Sequence, residues 1–266
     1  MKIVVKVGGQ AVEDRAVRRS LARQVSELRR FGHQVVVVHG GGKLLTQTLE
    51  RLGIPTSFHQ GLRITDAATR DVALMVLAGI INKQWVAELE AQGQRAIGIC
   101  GGDAGLVVAR RVWVRAKGQI RNLGFVGRPR KVSTAVLETA FKAGLVPVVA
   151  SVALGPGGDY FNINADDLAA ALATALHADR LLYLTESGGV RDADQRLLPL
   201  VKLGEIPSLI RSGVVRDGMI PKLRSCARTL RQDVGEVGIL CSAAPQALLR
   251  AVAGKDAAGT RIVKQA

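Results

Sequence analysis

The chain has 266 residues, enough for one large domain or two modest ones around a substantial core. Hydrophobic residues make up 48 % of it but aromatic residues only 3 %, which argues against an aromatic-rich β-sandwich and favours helices layered on a parallel sheet. The formal net charge is +15, yet the basic residues are scattered and no aromatic platform or recognised nucleic-acid motif accompanies them. We therefore expect no nucleic-acid partner and assign most of this charge to solvated surface, which also attracts anionic substrates.

The cysteines and the N-terminal residues indicate in which cellular compartment the protein is expected. Cys100, Cys226 and Cys241 are odd in number and widely spaced, so they form neither a disulfide framework nor a metal-ligand pattern. The apolar run at residues 3–5 is too short for a signal peptide, and no apolar stretch is expected to reach membrane-spanning length. We expect a cytoplasmic protein with no membrane partner.

The first forty residues predict a β-α-β unit. A strand at residues 3–7 ends in Gly8-Gly9, an amphipathic helix follows over 13–31, and four consecutive valines at 35–38 form the next strand. Such a valine run is typical of a strand buried on both faces of a parallel sheet. Because parallel strands end at the same edge, this turn and the glycines at 40–42 should lie side by side. Their backbone N–H groups, with those of the next helix N-terminus, would form a cradle for phosphate or carboxylate.

The rest of the chain continues to alternate between helices and strands. Thr65 or Asp66 can cap a long helix that runs to about residue 92, and a strand at 96–100 precedes a predicted hairpin over 106–132. The later predictions are helices over 135–144, 165–177, 202–212 and from Pro221 onward, and strands at 146–150, 181–184 and 237–240. This pattern predicts an α/β fold. A further glycine turn at 185–190 follows a strand, so the second half should bind a ligand of its own.

Five motifs occur between residues 6 and 222, in this order: Lys6-Val7-Gly8-Gly9, His39-Gly40-Gly41-Gly42, Gly61-Leu62-Arg63-Ile64-Thr65-Asp66, Asn162-Ile163-Asn164-Ala165-Asp166 and Gly218-Met219-Ile220-Pro221-Lys222. Together they resemble the amino acid kinase family, and most closely its members that phosphorylate N-acetyl-L-glutamate. The resemblance implies a three-layer α/β/α sandwich with a central, mainly parallel sheet, as in carbamate kinase. It also implies an acceptor-binding lobe with a dimerisation helix at residues 1–160 and an ATP-binding lobe at 161–266, on one continuous sheet.

The implied reaction transfers the γ-phosphoryl group of ATP to the side-chain carboxylate of N-acetyl-L-glutamate. That carboxylate, with a reference pKa of about 4.3, is ionised at neutral pH and needs no general base. The demand is for fixed cations and backbone N–H groups that stabilise charge on the moving phosphoryl group. By resemblance, Lys6 and Lys222 are the catalytic cations and Asp166 holds their ammonium groups in place. Mg²⁺ would be carried by the ATP phosphates, with no metal site made by the protein itself.

The resemblance also assigns the binding residues. Arg63 is the fork for the substrate α-carboxylate, since a guanidinium binds a carboxylate in a bidentate manner. Asn162 would hydrogen-bond the α-carboxylate or the N-acetyl group. The remaining acceptor-side residues are Gly8, Gly9, Gly41, Gly42 and Asn164, and the nucleotide-side residues are Thr185, Glu186, Ser187, Gly188, Gly189, Val190, Gly218 and Met219. The run at 185–190 departs from the common Thr-Asp-Val-Pro-Gly-Val, so the adenine side should differ in detail.

Assembly is a further expectation. Kinases of this type pair through the acceptor lobe, and the helix over 66–92 offers an apolar face, so we expect a homodimer. Arginine-sensitive relatives join such dimers into rings through an additional N-terminal helix. Because Lys2 already enters the first strand, we expect a dimer that arginine neither inhibits strongly nor changes in mass.

Two alternatives remain at this stage. One is a related kinase whose acceptor is an aminoadipate or glutamate carboxylate on a small acidic carrier protein. The positive charge fits that kinase, whereas Gly42 and Asn164-Ala165-Asp166 favour the free N-acetyl substrate. The other is a non-catalytic amino-acid sensor on the same fold, which would be expected to lack the lysines found at positions 6 and 222.

Overall fold

The computed structural model describes residues 1–116, 119–215, 219–255 and 259–265. Its β-strands alternate with helices for most of the chain, as the sequence pattern predicts. The strands are Lys2–Val7 (β1), Gln34–His39 (β2), Phe58–His59 (β3), Leu62–Arg63 (β4), Ala96–Cys100 (β5), Val107–Ala116 (β6), Gln119–Val132 (β7), Val146–Ala150 (β8), Val152–Leu154 (β9), Tyr160–Ile163 (β10), Arg180–Thr185 (β11), Leu200–Lys202 (β12), Glu236–Cys241 (β13) and Gly259–Val263 (β14).

The helices flank this set of strands on both sides. They are Gln10–Glu13 (α1), Arg15–Arg30 (α2), Gly42–Arg51 (α3), Ala67–Glu90 (α4), Ala135–Lys142 (α5), Ala165–Ala175 (α6), Ile206–Arg211 (α7), Met219–Arg231 (α8) and Ala247–Val252 (α9), with short 3₁₀ turns at Asp103–Gly105 and Leu203–Glu205.

The central sheet has eight strands in the order β12-β14-β13-β11-β1-β2-β8-β5. All neighbours are parallel except β13 and β14, which run antiparallel. Strands from both halves of the chain therefore share one sheet, and β1 and β11 join the halves at its centre. The predicted division into an acceptor lobe and an ATP lobe at residue 160 stays a prediction.

Both faces of the sheet are buried, which explains the uninterrupted valine runs. Successive side chains of a strand point to opposite faces, so Ile3, Val5 and Val7 of β1 join one core cluster while Val4 joins the other. Helices α2, α4 and α9 contribute to the first cluster, and α5, α6 and α8 contribute to the second. The result is the three-layer α/β/α sandwich expected from the sequence.

The hairpin predicted over 106–132 is present as β6 and β7, and it belongs to a barrel that was not predicted. Its strands β6 and β7 close with β9 and β10 into a small barrel beside the main sheet. In this barrel Asn162 of β10 pairs with Val126 of β7 and with Val152 of β9. The barrel thereby brings a predicted substrate residue to the end of the main sheet.

Two strands near the C-terminus are absent from the sequence prediction. Leu200–Lys202 is a strand at the sheet edge, so the helix expected over 202–212 is instead a 3₁₀ turn followed by α7. Gly259–Val263 forms the antiparallel neighbour of β13. Both strands are short, and only pairing with each other and with β13 distinguishes them from loop.

The long helix α4 includes a π-helical segment, Leu74–Ile81, that the apolar spacing did not reveal. At 24 residues and a mean hydropathy of 1.4, α4 is long and apolar enough to cross a membrane, contrary to the expectation from sequence. Half of its apolar window is buried inside the protein, and core helices of soluble proteins share this length and composition. Its buried side includes Val76, Leu77, Ile81 and Trp85, which belong to the first core cluster.

Candidate active site

Two glycine turns lie side by side at the carboxyl edge of the central sheet. Strands β1 and β2 pair in parallel with Lys6 opposite Val38 and Val7 opposite His39. Gly8-Gly9 therefore leaves the sheet next to Gly40-Gly41-Gly42, and each turn is followed by a helix, α1 or α3. The expectation that these turns share one edge is confirmed. The arrangement aims backbone N–H groups from two helix N-termini at one region.

Two of these glycines are required by the surrounding structure. Gly9 has φ 54° and ψ −131°, a conformation that residues with a Cβ rarely adopt, and a Cβ there would meet the Glu186 carboxylate. A Cβ on Gly41 would collide with Ile81 and approach Leu77. Both of these side chains come from the π-helical segment of α4, so that segment packs directly beneath the second turn. One side of this turn therefore packs against α4, and its other side is open to a cavity.

A buried hydrogen-bond network also supports the second turn. The Nδ1 of His39 lies 3.0 Å from the carbonyl oxygen of Gly40, and its Nε2 lies 3.2 Å from the side-chain nitrogen of Asn82. The amide N–H groups of Asn82 also face the carbonyl oxygens of Ile99 and Val148, at 3.2 and 2.9 Å. A neutral imidazole with its proton on Nδ1 can donate to Gly40 and accept from Asn82, whose two amide N–H groups are shared among three acceptors. Burial lowers the pKa of His39 to about 4, against a smaller opposing effect of its bond to Gly40.

The three predicted catalytic side chains meet in one cluster. The ammonium of Lys6, at the end of β1, lies 2.9 Å from Oδ1 of Asp166. The ammonium of Lys222, in the first turn of α8, lies 2.5 Å from Oδ2 of the same carboxylate. Asp166 is in the first turn of α6, where Asn164 is the N-cap and accepts from the N–H groups of Asp166 and Asp167 at 2.8 and 3.2 Å. Because Asn164 caps the helix, the Asp166 carboxylate is left for the two lysines.

The electrostatics of this cluster favour an ionised carboxylate between two cations. Burial by itself would raise the pKa of Asp166, but the charges of Lys6 and Lys222 and their hydrogen bonds outweigh that effect and lower the pKa below its usual range. Both oxygens of Asp166 are held by ammonium groups, so this carboxylate is unsuited to act as a general base. Its effect is to hold two mutually repelling cations in one place.

Tyr183 is a member of the cluster that sequence reasoning missed. Its ring centroid lies 4.9 Å from the Lys222 ammonium, within the range of a cation–π contact. Its hydroxyl lies 3.5 Å from the backbone oxygen of Asp166, and its side chain is fully buried in β11. The signal was a tyrosine inside the apolar strand 181–184, because a buried hydroxyl needs a polar partner.

On one side of the lysine cluster lies a cavity of about 280 Å³. Ser151, Phe58 and Val126 line it and were not predicted. It gathers the whole predicted acceptor set, namely Lys6, Gly8, Gly9, Gly41, Gly42, Arg63, Asn162, Asn164 and Asp166. Residues from β1, β4, β10 and three turns therefore converge on one small space.

Arg63, in strand β4, lines this cavity with its guanidinium group. Its side chain is 7 % exposed, and burial lowers its pKa. Its Nη2 donates to the carbonyl oxygen of Gly42 at 3.0 Å and to Oγ1 of Thr46 at 2.7 Å, and its guanidinium lies over the Phe58 ring. Within the described ranges no carboxylate pairs with it. A buried cation without an internal counterion is well suited to an anionic ligand.

A second cavity, of about 580 Å³, lies beyond Lys222. The turn after β11, residues 212–215 and the first residue of α8 form its walls. Of the predicted nucleotide residues, Ser187, Gly189, Val190 and Met219 line it, together with the unpredicted Arg191, Gln195 and Val215. Gly218 lies outside the described residues.

The other predicted nucleotide residues lie behind or beside this wall. Thr185 accepts from the N–H of Gly188 at 3.1 Å through its hydroxyl, which shapes the turn. Glu186 reaches across to the first glycine turn, where its Oε1 accepts from the N–H of Gln10 at 3.2 Å. Neither residue lines the larger cavity, and Glu186 instead lies between the two cavities.

No group of three or more His, Cys, Asp or Glu side chains that could hold a metal ion occurs in the described ranges. The three cysteines are free, with Cys100 and Cys226 buried. Burial raises the pKa of Cys226 to about 12, so this thiol is protonated at neutral pH. At the site itself, the described chain supplies the ammonium groups of Lys6 and Lys222 and the backbone N–H groups of the glycine turns.

Comparison with known proteins agrees with this geometry. The chain matches the amino acid kinase family over residues 1–241. It is 46 % identical over 263 residues to the acetylglutamate kinase of Koribacter versatilis (strain Ellin345), with 99 % of each chain covered. A second acetylglutamate kinase, from Methylobacterium nodulans, is 43 % identical, with 98 % of this chain and 88 % of that protein covered.

Solved structures give the same fold. The N-acetylglutamate synthase of Neisseria gonorrhoeae, complexed with coenzyme A and N-acetyl-glutamate, superimposes with a TM-score of 0.87 at 26 % identity; all of this chain is covered, and it spans about 60 % of that synthase. The carbamate kinase of Giardia lamblia bound to AMP-PNP superimposes with a TM-score of 0.69 at 18 % identity and 98 % coverage of both chains, which supports the fold alone. On the family match and the full-length relatives, the chain belongs to the amino acid kinase family.

Proposed function

We propose that this kinase transfers the γ-phosphoryl group of ATP to the side-chain carboxylate of N-acetyl-L-glutamate, giving N-acetyl-L-glutamyl 5-phosphate, a step of arginine biosynthesis. The observation that carries the proposal is the Lys6–Asp166–Lys222 cluster. Lys6 and Asp166 line the smaller cavity, and Lys222 is three residues along α8 from Met219, which lines the larger one. The relatives named acetylglutamate kinase support the acceptor.

The reaction follows from the charges in this arrangement. An oxygen of the acceptor carboxylate attacks the γ-phosphorus; a new O–P bond forms as the bond to the bridging oxygen breaks, and ADP leaves with that electron pair. Lys6 would neutralise the transferred group from the acceptor side and Lys222 from the nucleotide side. The N–H groups of the two glycine turns would bind the equatorial oxygens, because such fixed donors need no reorganisation as charge develops.

The smaller cavity fits a small dicarboxylate with an amide. Arg63 would bind the α-carboxylate, since it is buried, oriented by Gly42 and Thr46, and lacks a carboxylate partner in the described chain. The Asn162 amide in β10 would hydrogen-bond the N-acetyl group or the α-carboxylate. The glycine turns would then hold the reacting carboxylate within reach of Lys6. Asn164 would act chiefly by capping α6, since its oxygen is already engaged by two N–H groups.

The larger cavity would hold the nucleotide, through Ser187, Gly189, Val190 and Met219. Mg²⁺ bound to the ATP phosphates would supply further charge neutralisation at the γ-phosphoryl group. Lys222 is the side chain of this chain that would contact the nucleotide phosphates most directly, because it lies one turn along α8 from Met219.

We also propose that the kinase is a cytoplasmic homodimer that pairs through α4. Met75 and Ile80 of α4 are 58 % and 49 % exposed, although the same helix forms part of the core on its other side. Light scattering of the full chain should give twice the monomer mass. The double variant Met75→Lys with Ile80→Lys should give the mass of one monomer. A monomeric wild-type chain would contradict this assignment.

The test of the activity is an ATP-consumption assay with Mg²⁺ and separate acceptors: N-acetyl-L-glutamate, L-glutamate, L-aspartate, carbamate and UMP. Hydroxylamine in the assay would trap any acyl phosphate as a hydroxamate. We expect turnover and hydroxamate with N-acetyl-L-glutamate. Robust turnover of only a non-acetylated acceptor would overturn the proposal, and no turnover with any free acceptor would direct attention to a carrier-linked one.

A further inference from the structure

A cavity of about 370 Å³ lies outside the proposed active site, between the barrel and helices α6 and α8. Its floor is formed by Ala170 and Ala171, whose small side chains leave the space open. Three arginines from three different elements line it, namely Arg110 of β6, Arg128 of β7 and Arg228 of α8. The volume is in the range of small-molecule sites.

Two of these arginines oppose each other directly. Arg110 and Arg128 are register partners across the antiparallel β6–β7 pair, so their side chains leave the same face of the hairpin close together. Like charges in such a pair destabilise a sheet. Neither side chain forms an ion pair or hydrogen bond with any residue in the described part of the chain. Both side chains are exposed, and the charge of Arg128 acts on the nearby Asp167 carboxylate, lowering its pKa against a larger effect of burial; solvent and this one acid therefore compensate the pair only in part.

The cavity contains one acidic side chain. Asp167 of α6 lies 3.9 Å from Arg228, at the outer limit of an ion pair. Three guanidiniums and one carboxylate leave a net charge of +2 among the lining side chains. The amide oxygen of Gln232 lies 3.5 Å from the Thr174 hydroxyl, and no described group accepts from its N–H groups. The unpaired polar groups around this cavity are therefore mostly donors.

We propose that this cavity is a binding site for a small dianion that carries a phosphate group, distinct from the substrate sites. Guanidiniums bind phosphate through charge-assisted hydrogen bonds, and a tetrahedral phosphate presents oxygens in the several directions from which these arginines come. Bound phosphate would relieve the repulsion between Arg110 and Arg128 and balance the charge of +2. The protein has a net charge of +15, and the site gives a role to three arginines that the proposed kinase reaction does not use.

The test is a calorimetric titration of the full chain with inorganic phosphate, at ionic strength held constant with KCl. Removing one guanidinium should cost one or more charge-assisted hydrogen bonds, so Arg110→Gln and Arg228→Gln should each weaken phosphate binding roughly 10- to 100-fold. Arg130→Gln is the matched control, because Arg130 is exposed like the three cavity arginines and lies on β7 but does not line the cavity. Phosphate could also bind at the proposed active site. Lys222→Met distinguishes the two sites, because it should leave phosphate binding at the arginine-lined cavity unchanged.

A second measurement keeps the proposal testable without activity. In phosphate-free buffer Arg110→Gln should unfold at the same temperature as the wild type or higher, because it removes one of two opposed charges. On adding phosphate the wild type should gain thermal stability and Arg110→Gln should gain little. Equal phosphate responses in the wild type, Arg110→Gln and Arg228→Gln would overturn the proposal. If Arg130→Gln weakened phosphate binding as much as the cavity variants do, general surface charge would explain the binding and the proposed site would be wrong. Malonate binding as tightly as phosphate would overturn the assignment of the ligand class.

Discussion

The two cavities proposed to hold the acceptor and the nucleotide are built in different ways. The smaller one, about 280 Å³, is bounded by turns at the ends of paired strands, and its polar groups are held by other residues. Arg63 is bonded to Gly42 and Thr46, and the second glycine turn rests on the His39–Asn82 network. The larger one, about 580 Å³, is formed by connecting segments and by several backbone groups.

This difference indicates where selectivity resides. A rigid cavity with oriented donors discriminates between acceptors, because a wrong acceptor leaves buried polar groups unpaired. A wider cavity in which few side chains are held by hydrogen bonds should tolerate amino-acid substitutions better. We therefore expect substitutions on the acceptor side to have large and specific effects, and those between the cavities or on the nucleotide side to have smaller ones.

The largest effect is expected at the Lys6–Asp166–Lys222 cluster, two of whose members line the smaller cavity. Lys222→Met removes one preorganised charge contact, so kcat should fall on the order of 10²–10³-fold. Arg224→Met, an exposed position on the same helix, should keep its activity. Thermal unfolding should show both variants folded, and steady-state kinetics at saturating substrates gives kcat. A Lys222→Met enzyme with nearly wild-type turnover would remove this lysine from the mechanism.

The next effect tests the acceptor cavity alone. Arg63→Lys keeps the charge but loses the planar fork, so the KM for N-acetyl-L-glutamate should rise roughly 10- to 100-fold while the KM for ATP changes little. Arg51→Lys, at an exposed position in the last turn of α3, serves as the control. Should the KM for ATP rise instead, Arg63 would belong to the nucleotide side and the two cavities would exchange roles.

A third prediction tests the rigidity of the acceptor side through pH. His39 has a pKa of about 4 when folded, against 6.5 in its ordinary state, so the unfolded chain binds more protons between these values. The free energy of unfolding should therefore decrease as the pH falls from 6.5 to 4, by about 1.4 kcal/mol per pH unit from this residue.

Denaturant unfolding at several pH values measures that slope. His39→Gln should reduce it over this interval, since an amide does not titrate. His33→Gln is the control, because His33 lies just before the same strand and is only partly buried, although burial lowers its pKa too. A slope that is the same in the wild type and in His39→Gln would show that the buried imidazole does not supply it.

The smallest effect is expected between the cavities. The Glu186 carboxylate accepts from the N–H of Gln10 and lies beside Gly9, where the phosphoryl group is proposed to pass. Glu186→Gln retains an acceptor but removes a negative charge near the ATP phosphates, so the KM for ATP should fall about two- to fivefold, as expected for a partly exposed charge interaction. Glu205→Gln, at an exposed site away from both cavities, should leave the KM for ATP unchanged. A rise in the KM for ATP with Glu186→Gln would indicate that this carboxylate assists nucleotide binding.

Much of the site could be predicted because its parts have local signals. The valines of β2 and the glycines at 8–9 and 40–42 placed two turns at one edge of the sheet, which only requires that β1 and β2 be parallel neighbours. Lys6, Asp166 and Lys222 came from the family motifs, and the structure brings them within ion-pair distance. Their catalytic roles remain predictions that the experiments above test.

Other features lacked such a signal. Strand β14 has little apolar pattern and is recognisable only by its pairing with β13. The π-helical segment of α4 differs from an α-helix in its backbone hydrogen bonding, which residue spacing does not report. Tyr183 and Asn82 are single polar residues in apolar surroundings, and only the packed structure shows which groups they contact.

The sequence by itself determined most of the order of strands and helices, the parallel sheet with two buried faces, the paired glycine turns and, through its motifs, the family. These depend on short-range rules, namely the period of apolar residues and the backbone freedom of glycine. The tertiary structure decided that Lys6 and Lys222 meet on Asp166, that Glu186 turns toward Gln10, and that Arg110 and Arg128 lie beside Arg228. Each depends on how helices and the barrel pack against the sheet, because side chains distant in sequence meet only when that packing brings their elements together.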